Sequence, residues 1–246
     1  MTWALIGLIA GLVLGLTGAG GAMVSVPLFL YLQGLTIQEA TVFSLFVVFS
    51  GALFNGFFQR QNIQFKIAIP VFLFSLLGSY LSAGIKPMLA KWVIQSGFLL
   101  ICFFSLWRTW VPFRSNRPAL TGKQNLIFLP LMGLLIGALI TITGLGGGVV
   151  LIPFYISIVG LEPHIAVATS LFTVLINSMG SIGSQFSAVQ RAADPTSIGL
   201  LMLGCLVASR LVILWMEKIP QKSRERFRRV LFTAIVLVTI VSVLLK

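Results

Sequence analysis

Shifted by 126 residues with no gap, residues 5–48 of this chain fall on residues 131–174, and 17 of the 44 columns are identical. Shared Leu and Val are cheap in any apolar sequence. The matches here include Gly7 with Gly133, Gly11 with Gly137, Thr17 with Thr143, Gly18 with Gly144, Gly20 with Gly146 and Gly21 with Gly147. Further along come Pro27 with Pro153, Gly34 with Gly160, Ala40 with Ala166 and Ser44 with Ser170. Gly, Pro and Thr held at fixed spacing are not a product of apolar composition. The chain is therefore expected to fold as two copies of one unit, 1–108 and 125–246, joined by a basic cytoplasmic linker at 109–124.

Each copy is made of apolar runs. The 246 residues are 58% hydrophobic and 9% charged, too little charge to cover the surface of a soluble domain. The runs occupy 2–16, 22–33, 39–58, 67–85, 91–108, 125–142, 148–160, 164–186, 196–216 and 229–246. Several reach the roughly 20 residues that a helix needs to cross a hydrocarbon core of about 30 Å. The first, second, sixth and seventh runs differ, because each pair is joined by a glycine-rich stretch rather than a charged loop. A run of about 12 residues covers roughly 18 Å, well short of a crossing. The fold class expected is an all-α polytopic membrane protein with two homologous, inverted repeats, each carrying a short Gly-interrupted helical hairpin.

The net charge of +12 does not point to nucleic acid, because the basic residues sit in the gaps between apolar runs. That is the distribution the positive-inside bias produces. The most basic gaps are 108–124 (Arg108, Arg114, Arg117, Lys123) and 217–229 (Lys218, Lys222, Arg224, Arg226, Arg228, Arg229). Both belong on the cytoplasmic side. They share a side if each short pair is a hairpin that enters and leaves on one face, and fall on opposite sides if each pair is one broken crossing. The charge rule favours the hairpin, and Lys86, Lys91 and Arg191 then fall on the outer face. Each half has an odd number of crossings in that arrangement, so the halves are inverted and both termini lie on the non-cytoplasmic side of a cell (inner) membrane. The apolar N-terminus lacks a basic leader region, which reads as a first membrane segment rather than a signal peptide.

Two glycine motifs carry the candidate chemistry: TGAGG at 17–21 and TGLGGG at 143–148. Each opens a short helix with a proline, Pro27 or Pro153, soon after its start. Glycine lets backbone turn sharply and approach a ligand. The first amides of a helix lack partners and carry the positive end of its dipole, and an anion satisfies both. Paired interrupted helices in two repeats are a pointer to a transporter's central site. The candidates for holding a small anion are Thr17, Gly18, Gly20 and Gly21 in the first half, and Thr143, Gly144, Gly146, Gly147 and Gly148 in the second. Gly7, Gly11 and Gly15, with Gly133 and Gly137, read instead as ridges for close helix packing.

The following runs add hydroxyls and amides: Thr41 and Ser44 in the first half, Thr169, Ser170 and Asn177 in the second. Such groups also satisfy neighbouring backbone in lipid. The matched positions of Ser44 and Ser170 favour a shared central cavity, with Asn55 and Gln59 as weaker candidates. Glu39, Glu162, Asp194, Glu217 and Glu225 lie in loops or near run ends. His164 beside Glu162 reads as a solvated cap, and Arg210 as a side chain reaching for the interface. Cys102 and Cys205 lie inside apolar runs without metal-like spacing, as packing residues. With no nucleophile–base set, P-loop or metal cluster in the sequence, neither an enzyme nor a cofactor is expected.

TGLGGGVVLIP at 143–153 and ATSLF at 168–172, with TGAGGAMVSVP and ATVFSLF in the first half, give the chain a resemblance to the sulfite exporter TauE/SafE family of membrane proteins. The two-half pattern covers nearly the whole chain. The resemblance implies transport of sulfur-containing anions such as sulfite, sulfoacetate or thiosulfate, and in some members of other organic anions. The first half departs from the pattern, with Ala22 where the second has Gly148 and Phe43 where it has Thr169. The expected function is a secondary transporter whose partners are a small anion and the lipid bilayer. An anion channel and a non-transporting membrane scaffold are the alternatives.

Overall fold

A computed structural model describes residues 2–17, 21–111, 123–186, 189, 194–217 and 221–244. The described helices are α1 (Thr2–Thr17), α2 (Gly21–Leu32), α3 (Ile37–Phe58), α4 (Phe65–Ile85), α5 (Lys91–Trp110), α6 (Lys123–Thr143), α7 (Gly148–Phe154), α8 (Pro163–Ser184), α9 (Pro195–Glu217) and α10 (Gln221–Leu244). No strand occurs among the described residues. The boundaries keep the sequence repeat: α1 and α6 end 126 residues apart, and so do both the starts and the ends of α3 and α8. Most of the linker lies outside the described residues. The basic stretch from Gln221 onward is already helical rather than loop, in keeping with the good helix propensity of Lys, Arg, Gln and Glu.

Four spans, Ile37–Phe58, Phe65–Met88, Pro163–Ser184 and Pro195–Val212, are long and apolar enough to cross a membrane. Their outward faces stay apolar: Leu73, Leu77 and Leu81 on α4 and Leu203, Val207 and Leu211 on α9 are all exposed. Water would penalise that surface, and lipid does not. Trp92 near the start of α5 and Trp107 and Trp110 near its end are also exposed, the placement that interfacial aromatics take. The chain is a multi-pass membrane protein.

Both short pairs fold back on themselves. In the first, Gly21 sits against Leu14 and the Ala10 carbonyl, and the Gln33 amide at the end of α2 donates to the Thr2 hydroxyl at the start of α1. In the second, Gly147 lies against Ile140, and the Phe128 and Phe154 rings stack at 6.2 Å. The second return arm continues from α7 through a π-helical turn, Tyr155–Val159, to Gly160, whose φ of 78° ends the helix.

The closest packing runs between the halves. On α1, a Cβ added at Gly7, Gly11 or Gly15 would collide with the backbone of Leu201, Cys205 or Ser209 on α9. On α6, Gly133 and Gly137 press against the carbonyls of Val71 and Ser75 on α4 in the same way. Small residues let helix backbones touch in lipid, where packing replaces the hydrophobic effect as the driving force. The paired numbers rise together in both contacts, so α1 runs parallel to α9 and α6 parallel to α4. The α4–α8 contacts, Phe72 with Phe172 and Lys86 with Gln185, rise together as well.

Candidate functional site

A cavity of about 400 Å³ lies where the two halves meet. The second half of α3 forms one wall through Val48, Gly51, Asn55 and Gln59, and the first half of α8 forms another through Ser170 and Val174. The turn between α6 and α7 closes one end with Leu145, Gly146 and Gly148. From Val48 to Gln59 the wall is three turns of helix, roughly 17 Å at about 1.5 Å per residue. The site therefore spans from the interior of the bundle to the end of α3.

The turn has its shape because Gly144 and Gly146 adopt φ of 67° and 66°, a region that costs other residues roughly 1–2 kcal/mol. Ser44 fixes the turn from across the interface by donating to the Gly144 carbonyl at 2.7 Å and to Thr41 O at 2.8 Å. The polar groups in the cavity are few. Ser170 Oγ donates to Val167 O at 2.8 Å, and the hydroxyl can re-aim by rotating. Asn55 spends one N–H on Gly51 O at 3.0 Å, which leaves its second amide proton for another acceptor. Gln59, the C-cap of α3, stands half-buried at the far end of the wall. Among the described residues, no charged side chain lines the cavity.

Of the residues expected to hold an anion, Gly146, Gly148 and Ser170 line this space. Gly144 and Ser44 shape its wall from behind. Thr143 is buried and donates to Leu139 O at 2.6 Å. Gly21 and Gly147 serve the hairpin contacts. Thr169 is buried and accepts from the Gln64 amide at 3.2 Å, beyond the end of α3. Asn177 is buried one turn past Val174, where its Oδ1 accepts from Ser79. Gly18, Gly20 and the Thr17 side chain lie outside the described residues.

Gly15 and Gly51 are part of the wall and were not singled out as ligand-facing in the sequence. The signal for Gly51 is its spacing from Asn55 and Gln59, four residues at each step along one helix face. Arg210 does not line the cavity. Its guanidinium lies 5.6 Å and 5.2 Å from the Phe54 and Phe58 ring centroids, as a cation–π contact. His164 Nδ1 lies 3.5 Å from Glu162 at an exposed position. Glu39 closes a capping box with Thr36 at the start of α3. Lys86, placed in an outer loop by the sequence, instead has its side chain turned inward and is 3% exposed.

The model of the family described as Sulfite exporter TauE/SafE matches residues 3–242. In Arabidopsis thaliana, "Sulfite exporter TauE/SafE family protein 1" is 33% identical over 102 residues, which are 41% of this chain and 22% of that protein. The chain thus aligns to about a fifth of that relative's length. "Probable membrane transporter protein YunE" of Bacillus subtilis (strain 168) is 26% identical over 213 residues, 74% of this chain and 77% of the relative. No solved structure matches at the same stringency. Two hairpins, each with a glycine-rich motif in its sequence, frame one cavity, and the family match covers all but the first two and last four residues: the chain belongs to the sulfite exporter TauE/SafE family.

Proposed function

We infer that the chain is a secondary transporter of small anions, with sulfur oxyanions such as sulfite, thiosulfate or an organosulfonate as its substrate class. The observation that carries this reading is the cavity between α3 and α8, bounded by the Gly146–Gly148 turn. It is mostly apolar with a few neutral donors, the composition of a small-molecule site. It presents no carboxylate among its described lining residues, so nothing there repels an anion. The family description and the relatives' names support the same class.

The substrate enters beside Gln59 and Asn55 and is held against the Gly146–Gly148 turn and Ser170. One half then rocks against the other and exposes it on the opposite face. A carrier is favoured over a channel because the space ends near Val174. Beyond it Asn177 and Ser181 are fully buried, so no open pore continues among the described residues. The halves are inverted in this reading, supported by the two hairpins and the parallel pairs α1–α9 and α4–α6. The protein then resides in the cell (inner) membrane with both termini on the non-cytoplasmic side, as a transporter and not an enzyme.

The test is thermal stability of the purified protein with sulfite, thiosulfate, sulfoacetate, sulfate, acetate and chloride at equal ionic strength. A ligand at about 100 times its Kd stabilises the folded state by roughly 2.7 kcal/mol, which is a readable shift. A selective rise with sulfur oxyanions, followed by their exchange across vesicles, is the expected outcome. Equal shifts for all six, with no exchange, would remove the reading.

A further inference from the structure

The polar stripe of α8 does not stop at the cavity. After Ser170 and Val174 come Asn177, Ser181 and Gln185 on the same helix face, now 0%, 0% and 7% exposed. They pack against α4 and α6 in a buried polar seam. The Thr141 and Ser181 hydroxyls pair at 2.8 Å, and Gln185 Nε2 donates to Ser181 O at 3.1 Å. Lys86 Nζ closes the seam by donating to Gln185 Oε1 and to the Thr141 carbonyl, each at 3.0 Å.

Two features of the seam are costly. A lysine near a helix end ordinarily runs its stem outward and leaves the ammonium at the interface. Lys86 does the reverse, and no carboxylate lies within 4.0 Å of it among the described residues. The Thr141 carbonyl is one of the last four of α6, so the ammonium also meets the negative end of that helix. Capping does not explain the second feature: Asn177 Nδ2 is buried without a hydrogen-bond partner, a state that favours a visiting acceptor.

The repeat says what the seam is. The 126-residue shift puts Gly15 on Thr141, Gly51 on Asn177, Asn55 on Ser181 and Gln59 on Gln185. All four first-half residues line the cavity. The seam is thus the second-half counterpart of the cavity wall, filled by its own side chains.

We propose that the seam is the opposite-facing vestibule of the transporter, closed in this conformation, and that it binds an oxyanion through Lys86 Nζ and Asn177 Nδ2 once α8 parts from α4 and α6. The inference rests on the anion-transport reading of the cavity. The ammonium supplies the charge and the Asn177 amide a directed hydrogen bond as the anion passes. Among the described residues only this vestibule carries a cation, so the two faces of the protein hold the anion with different affinity.

The experiment uses the full chain in sealed vesicles of one orientation, with radiolabelled sulfite as probe. Lys86→Gln is expected to slow exchange on the order of tenfold or more, the worth of a charged hydrogen bond. Lys86→Arg is expected to retain most of it. In sulfite-free buffer, a membrane-impermeant maleimide is expected to label Asn55→Cys from the face bearing the basic loops and Ser181→Cys from the opposite face only, with the unmodified chain as control for the buried Cys102 and Cys205. Normal exchange by Lys86→Gln, or a Ser181→Cys that no face can label while the protein exchanges sulfite, would overturn the proposal. If Lys86→Gln does not fold, Lys86→Arg and the labelling decide. If the unmodified chain moves no sulfite yet Ser181→Cys is labelled from the opposite face, the transport reading falls and the vestibule stands. With neither, both fall.

Discussion

Two glycines of a single motif do different work. At Gly144 a side chain is excluded twice: φ is 67°, and a Cβ would strike the Thr41 carbonyl and the Ser44 hydroxyl. At Gly148 the space where a Cβ would sit has no atom within 4 Å, and the position opens on the cavity. Gly144→Ala is therefore expected to lose at least about 1–2 kcal/mol from the left-handed backbone alone, visible as a lower melting temperature. Gly148→Ala is expected to fold normally, since the first half already has Ala22 at that place. Gly148→Leu is expected to fold as well but to fill the cavity and abolish sulfite exchange in vesicles. Exchange at the normal rate by a folded Gly148→Leu would show that the anion travels elsewhere. The sequence presents these glycines as one pattern, because what separates them is a contact with α3, at least 100 residues away.

Between elements, the bundle depends on the two glycine ridges, which bring α1 onto α9 and α6 onto α4. Gly11→Leu is expected to force those backbones apart, costing at least the roughly 1–3 kcal/mol typical of overpacking. Leu12→Ala, one residue along on the exposed face of α1, is expected to change stability little. Thermal unfolding of both variants in detergent separates the two, and equal behaviour would mean that the α1–α9 contact is not a determinant of the fold. The ridges, the interrupted hairpins and the prolines were legible in the sequence because each rests on local chemistry: a small side chain, a permissive φ, a missing amide proton. The partners of the ridges were not legible, since no local feature says that Gly7 meets Leu201 rather than some other carbonyl. Lys86 shows the same limit. It follows an apolar run and precedes Pro87, which reads as a loop, and only the approach of α6 and α8 turns its side chain inward.

For the whole molecule, what matters is which face the cavity opens on. In the transport reading its mouth is at Gln59, the C-terminal end of α3. The six-residue connection 59–64 sends α4 back from that face, since short loops join antiparallel neighbours, and α5 then returns to it. The linker after Trp110 thus starts on the face where the cavity opens. α8 runs parallel to α4, away from that face, and α9 returns to it, so the second basic stretch, 217–229, begins there too. On the proposed reading, two basic stretches on one face mark it as cytoplasmic, so the cavity would face inward and α10 would end outside. A reporter fused after Lys246 that is active only in an oxidising, non-cytoplasmic compartment is expected to be active, and one fused within the 108–124 linker to be silent. The reverse pattern would turn the cavity to the outside and the Lys86 seam to the cytoplasm. An active reporter at both positions would break the parity of crossings on which the proposed inverted arrangement depends, because the two hairpins and six full crossings of that proposal can place the linker and the C-terminus only on opposite faces.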